Sequence, residues 1–450
     1  NGSNRDMKIS ALVNAKNELI KEFDWNYGGT GSAPKFPQPM IYEFLLRRNF
    51  YNSEDQVQKA LIKTLDSMMC GGIYDQLRGG FHRYSTDMFW LIPHFEKMLY
   101  DNALLAKLYL NAYQMFQKTE YSKVVVQILD YVRDEMLLEN SGISSSQDAD
   151  SDLGEGIYFA WRPDEIDSIL GKTNADLIKK YFGVTQEGNF EGRSILSIPT
   201  GTDDFIKNEN LDKPFFETLL VDAKEKMLEV RSNRNAPGTD DKILCSWNSL
   251  MISSYAKSGI SLGNNQYVSI AKNTGDFIEK NMINNGKLFH SYGGDGVLKS
   301  SGYLEDYSFF GIACLDLHEA TLDTKWLRKA IWAAQQIVEI FWDHEEGMLF
   351  DTSFSQKDLI IRPRDIYDNA MPCGSSVAAE LLFKVGLVTG DEKLSNIARS
   401  SVENILPVAE KVPVGLAQWL CSADMMMYDT KEIVIIGDPK DSKTFDFISK

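Results

Sequence analysis

Apolar positions along this chain recur at helical spacing, and in four stretches the pattern doubles back: a helix, a tight polar turn, a second amphipathic helix. The stretches are LYLNAYQMFQKTEYSKVVVQILDYVRDEM from Leu108 to Met136, SYAKSGISLGNNQYVSIAKNTGDFIEKNM from Ser254, LDLHEATLDTKWLRKAIWAAQQIVEIFW from Leu315, and LLFKVGLVTGDEKLSNIARSSVENIL from Leu381. Each predicts an αα-hairpin, with Thr119 placed to cap the second helix of the first. Two of them run on into Asn285-Gly286 or Glu346-Gly347 and a short apolar run, which predicts a small β-hairpin decorating a loop. Helical patterns at 7–23, 37–49, 54–70 and 212–232 bring the total to about twelve helices.

Such a number makes six hairpins. An open solenoid needs polar capping repeats at its ends, and no terminal repeat has that character. The expected fold is therefore all-α: an (α/α)6 toroid with small β-hairpin insertions over residues 7–430. Residues 140–210 break the rhythm with GISSSQDADSDLGEG, IYFAW, a helix opened by Pro163 and GNFEGRSIL, and predict an insertion on the toroid rim. Residues 431–450 read as a strand, KEIVIIGDP, and a helix, DSKTFDFISK, like the start of a β–α unit without a continuation.

Composition narrows the function. With 450 residues, 43% hydrophobic, the chain has material for a large core. Its formal net charge of −17 repels polyphosphates, so nucleic acid is not expected as a partner. No run approaches the roughly 20 apolar residues of a membrane span, and residues 1–20 lack the order of a signal peptide, so no membrane partner and a cytoplasmic location are expected. Cys70, Cys245, Cys314, Cys373 and Cys421 are scattered and form no Cys-x-x-Cys pair, which points away from disulfides and zinc.

Turns within the hairpins are bland, whereas the connections between hairpins are rich in Trp, Tyr, His, Asp, Glu and Arg. In an antiparallel toroid these two kinds of connection emerge at opposite ends. The rich ones gather beside inner-helix N-termini, whose free N–H groups and positive dipole ends suit acceptor-rich or anionic ligands. From Gly71 to Ala106, GGIYDQLRGGFHRYSTDMFWLIPHFEKMLYDNALLA supplies His82 and His94 as catalytic candidates and Arg83, Tyr84, Trp90, Glu96 and Asp101 as binding candidates. Pro93 is expected in a first helical turn, placing His94, Met98 and Asp101 on one face. RSNRNAPGTDDKILCSWNSLMISSYA from Arg231 supplies Arg234, Trp247 and Asn248 for binding; one of Asp240 and Asp241 is expected to cap the following helix, and Asp241 is the catalytic candidate. Trp247 offers a flat apolar face for a sugar ring and would serve equally as a core side chain. GYLEDYSFFGIACLDLHEA from Gly302 places Glu305 and Asp306 in a first helical turn, about 100° apart, so that one faces the mouth and the other serves the dipole, with Tyr307 beside them. The Asp-rich run at 147–152 does not fit EF-hand spacing, and no metal and no cofactor is assigned.

The runs GGTGSAPKFP from Gly28, GGFHRYSTDMFWLIPHFEKMLYDNALL, SSSQDADSDLGEGIYFAW, GNFEG, DDKILCSWNSLMI and YLEDYSFF resemble, in this order, the spermatogenesis-associated thioredoxin-domain proteins, the YyaL-like family. The run PCGSSV departs from it, with Cys373 and Ser375 where the family usually shows Ser and Asn. The resemblance implies an (α/α)6 barrel similar to those of N-acylglucosamine 2-epimerases and six-hairpin glycosidases. It also implies an N-terminal thioredoxin-like domain, and the opening NGSNRDM reads as a truncated start that leaves it out. The expected function is a carbohydrate-active enzyme acting on a sugar or sugar acid. Either His82 or His94 moves a proton at a sugar carbon, or two carboxylates from Asp241, Glu305 and Asp306 hydrolyse a glycoside. The alternative is a non-catalytic toroidal scaffold that binds a sugar or a thioredoxin-like partner domain.

Overall fold

The computed structural model describes residues 7–152, 154–356 and 359–428, with 431, 436–438, 441, 442 and 444 beyond them. The strand expected after 431 and most of the helix following it lie outside the described residues. Sixteen α-helices form among those described. In chain order the toroid takes α1 (Ile9–Lys21), α2 (Pro39–Tyr51), α3 (Asp55–Cys70), α4 (Leu99–Phe116) and α5 (Thr119–Tyr131). An insertion carries α6 (Pro163–Leu170), α7 (Lys172–Tyr181), α8 (Thr202–Asn208) and α9 (Lys213–Ser232). The toroid resumes with α10 (Cys245–Ser261), α11 (Asn265–Asn281), α12 (Leu304–Thr321), α13 (Thr324–Ile340), α14 (Gly374–Thr389), α15 (Glu392–Ala409) and α16 (Ala417–Met427).

Helices α2, α4, α10, α12, α14 and α16 pack each on the next, and α16 on α2, so the inner ring closes; the remaining toroid helices back them. The sequence decides which is which. Nearly every residue of α12 from Leu304 to Leu317 is buried, as a helix apolar around its circumference must be, whereas α13 buries one stripe, Trp326, Ala330, Ala333, Ala334 and Ile337. A buried ion pair between Arg48 of α2 and Asp424 of α16, 2.7 Å, and the Tyr51 ring stacked on Tyr428 at 3.6 Å fasten the closure.

The two ends of the toroid start their helices differently. At the hairpin turns the outer helices α11, α13 and α15 are capped by their own Asn264, Asp323 and Asp391. Thr119, expected as a cap, instead lies inside α5, whose preceding residue Lys118 makes no side-chain cap. At the other end α4, α10 and α14 have no cap of their own and depend on side chains or carbonyls from elsewhere in the fold. Two helix assignments also differ from the sequence pattern. Helix α9, counted toward the ring, packs on α6 and α7 around a separate core of Trp161, Tyr181, Phe182 and Phe216. Its place in the ring is taken by α16, whose eleven residues are too few to show a clear period.

The connection from 71 to 98 folds back so closely that a Cβ on Gly72 would lie 2.1 Å from the Leu91 carbonyl oxygen and 2.7 Å from Ile195. Gly72→Ala is therefore expected to destabilise by about 1–3 kcal/mol, seen as a lower urea midpoint at unchanged slope.

Candidate active site

The ends of the inner helices meet through shared carboxylates. Asp306 of α12 accepts from the Ser246 N–H of α10 at 3.2 Å and from the Tyr303 N–H at 2.9 Å. Asp368 does the same for α14 and α16, accepting from Cys373 N–H at 3.0 Å and Gln418 N–H at 2.8 Å. The Leu99 N–H at the start of α4 donates to the Ser145 carbonyl, and Ser145 in turn donates to the Asp240 carbonyl, both at 3.0 Å. These N-termini thus open on one mouth. On the axis beneath it lies a cavity of about 50 Å³ to which all six inner helices contribute, among them Glu43, Lys107, Ser253, Asp316, Glu380 and Gln418.

Glu305 stands over this cavity. Phe309, Ile312 and Asp316 of its helix line the cavity wall, and Glu305 is one turn further toward the mouth on the same face. The Ser246 hydroxyl donates to it at 3.3 Å. Asp306, fully buried, turns away to cap the helices and accepts from Nδ1 of His290 at 3.0 Å, so this histidine is oriented by a carboxylate. Nε2 of His290 has no partner among the described residues. Burial and the neighbouring Asp306 push the Glu305 carboxyl up to about 7, and burial raises Asp306 as well. Burial opposes charge on His290, but the bond to Asp306 outweighs it and raises the ring above the ordinary histidine value. His290, Glu305 and Asp306 have ligand atoms within 4.8 Å of one another, close enough to hold an ion, yet each is already engaged with protein partners.

A second cluster gathers at the start of α4. The Arg83 guanidinium donates to Glu96 at 3.0 Å, and Tyr100 meets the half-buried Trp247 edge to face at 4.8 Å. His94 hydrogen-bonds Glu155 of the insertion at 2.9 Å, and Tyr84 is sandwiched between Phe36, 4.8 Å, and His94, 5.0 Å. The helix expected from Pro93 does not exist: Pro93–His94 pairs as a short strand with Tyr84–Ser85, and α4 begins at Leu99 because Lys97–Met98 pairs with Ser146–Gln147. His94 and Asp101 therefore share no helix face. Nor does Asp240 or Asp241 cap α10; Asp240 holds its own turn through Lys242 N–H, and Asp241 is exposed.

The remaining candidates sit elsewhere. His82 is 1% exposed, with Nδ1 held by the Phe95 carbonyl at 2.9 Å, and burial together with Lys97 brings its ring down to about 3, so it stays neutral. Trp90 is buried and donates to the Tyr27 carbonyl. Arg234 binds the carbonyls of Tyr158 and Ala160 and stacks on Trp161 at 4.0 Å, organising the insertion. Asn248 ties α10 to Ile143, and the Tyr307 hydroxyl accepts from Leu288 N–H. Sequence reasoning missed His290, Ser246 and Lys107. His290 lies in the strand Lys287–Tyr292, expected only as decoration; its pairing with Ile243–Leu244 brings it to Asp306.

The fold is an (α/α)6 toroid, the architecture also of a solved sugar isomerase and of a solved glycoside hydrolase. Among solved structures the chain is similar to a D-mannose isomerase, with 10% identity, a TM-score of 0.56, and 89% of this chain and 86% of that one covered. It is likewise similar to a GH76 α-mannanase of Bacteroides thetaiotaomicron, with 10% identity, a TM-score of 0.54 and coverage of 94% and 97%. No protein-family model matches the chain. It is a homologue of spermatogenesis-associated protein 20, 32% identical to the Homo sapiens protein and 32% to that of Mus musculus, over 96% of this chain in each case. The chain spans 61% and 60% of the length of these relatives.

Proposed function

We propose that this chain is a sugar isomerase or epimerase, in which Glu305 takes a proton from a sugar carbon and the Asp306-oriented His290 supplies one. The observation that carries this reading is the position of Glu305: at the mouth, on the axial face, beside a histidine whose Nδ1 is fixed and whose Nε2 has no partner among the described residues. A carboxyl pushed up to about 7 divides between acid and base near neutrality, as proton transfer requires. Glycoside hydrolysis is less well served. It needs two carboxyl groups flanking a bond, and Asp306 is buried and saturated by backbone and His290 donors while Asp241 is exposed on a turn. The five unpaired cysteines support a cytoplasmic site of action. No helix among the described residues is long and apolar enough to cross a membrane. A thioredoxin-like domain remains a proposed partner.

The test is incubation with a panel of aldoses and ketoses in D2O, read by NMR. Deuterium entering at a carbon beside the carbonyl supports the reading; no exchange and no calorimetric binding of any sugar leaves the toroid a scaffold. If Trp247 forms a wall for the sugar ring, Trp247→Ala weakens binding at least about tenfold in calorimetry, the effect of about 1.4 kcal/mol of lost ring contact. Unchanged affinity removes Trp247 from the site.

A further inference from the structure

Carboxyl groups gather at the mouth. Glu96, Asp101, Glu155, Asp240, Glu305 and Asp306 all come from segments that open on it. The cations beside them are already paired, Arg83 with Glu96 and Lys242 with Asp240, each at 3.0 Å. Helix ends do not restore the balance, although their positive dipoles favour anions in general. Asp306 occupies the ends of α10 and α12, and Asp368 those of α14 and α16. Among the described residues the carboxyl groups at this mouth thus outnumber the cations beside them.

Among the carboxyl groups of this mouth, one has a buried oxygen with no donor among the described residues. Asp101, 4% exposed in the first turn of α4, has its Oδ2 buried without a donor. Leaving such an oxygen unsatisfied is unfavourable. The charged groups near enough to act on it are Arg83, whose Nη1 donates to Glu96 while its buried Nε has no partner among the described residues, and Glu96 itself. We propose that Asp101 and Glu96 receive an ammonium group, and that the substrate class of this mouth is an amino sugar rather than a sugar acid or sugar phosphate. This rests on the sugar-processing reading above and narrows it. Burial, with Glu96 adding to it, holds the Asp101 carboxyl well above the usual carboxylate range, so it carries a proton before the ligand arrives. An ammonium beside it favours the ionised form, and the released proton passes to solvent.

The experiment is isothermal titration at about pH 6.5, where a sugar amine is charged, using D-glucosamine, D-mannosamine, N-acetyl-D-glucosamine, D-glucose, D-glucuronate and D-glucose 6-phosphate. The free amino sugars are expected to bind at least about tenfold tighter than N-acetyl-D-glucosamine, D-glucose and the anionic sugars. Their apparent enthalpy should change between buffers of different ionisation heat, reporting proton release. Asp101→Asn, isosteric at a group with no bond to lose, should abolish both the preference and the proton release while neutral sugars still bind. Glu96→Gln, checked for folding by its thermal transition, should reduce the preference. Sugar binding without an amine preference, tighter binding of the anionic sugars, or a preference that survives both variants overturns the amino-sugar assignment alone. Absence of binding by every sugar overturns the sugar-processing reading and this proposal together.

Discussion

Glu305→Gln is expected to slow deuterium incorporation by about 10²–10⁴-fold, the contribution of a positioned acid–base group, with sugar affinity nearly unchanged. The amide keeps the shape and the Ser246 contact but cannot take a proton. The wild-type rate should rise as pH passes through about 7, because burial and Asp306 keep Glu305 protonated below that point. It should fall as His290, held above the ordinary histidine value by Asp306, loses the proton it donates. Asp306→Asn removes that support and should move the alkaline limb to lower pH. Full exchange activity in Glu305→Gln, or a rate flat across this range, would show that the proton moves elsewhere.

Asp75→Ala is expected to cost about 3–5 kcal/mol, the largest stability effect of a single change considered for this chain, because it strands two buried cations. The Asp75 carboxylate accepts from Lys97 at 2.9 Å and from Arg231 at 2.8 and 3.0 Å, and all three side chains are almost wholly buried. Arg231 ends α9 and Lys97 precedes α4, so this group fastens the insertion to the toroid. Burial alone would raise Asp75, but Arg231 and Lys97 outweigh it and hold the carboxyl well below the ordinary range. The stabilisation is therefore fully present above the unfolded value near 4 and is lost as pH falls through the depressed folded value. Urea unfolding measured across acid pH should show this loss in the wild type and a weaker one in the variant. A variant as stable as wild type at neutral pH would mean that the cations find other partners.

The hairpins were legible because each has a local cause. Repeated apolar stripes, the turn residues Asn264, Asp323 and Asp391, and the glycines after α11 and α13 act within a few positions of themselves. The contrast between α12 and α13 is written in their composition, and so is the divergence of Glu305 from Asp306, since adjacent helical residues point about 100° apart whatever surrounds them. The candidate site was legible only in part. Arg83, Glu96, Tyr100, Trp247 and Glu305 lie on segments chosen for their polar richness, but that richness equally describes Arg234, Asn248 and Trp90, which hold loops and the insertion in place.

What the sequence determined by itself was the helical repeat and the end of the toroid at which the polar connections collect, because these follow from periodicity and connectivity; the count of twelve came right only because α9 stood in for α16. Which titratable groups meet was decided only in three dimensions. His290 comes to Asp306 through a strand pairing with residues some fifty positions earlier, the entry of α4 is set by the insertion strand paired to Lys97–Met98, and His82 is kept neutral by burial together with Lys97. Burial and the charge of distant neighbours set the state of each group, and neither is a property of local sequence.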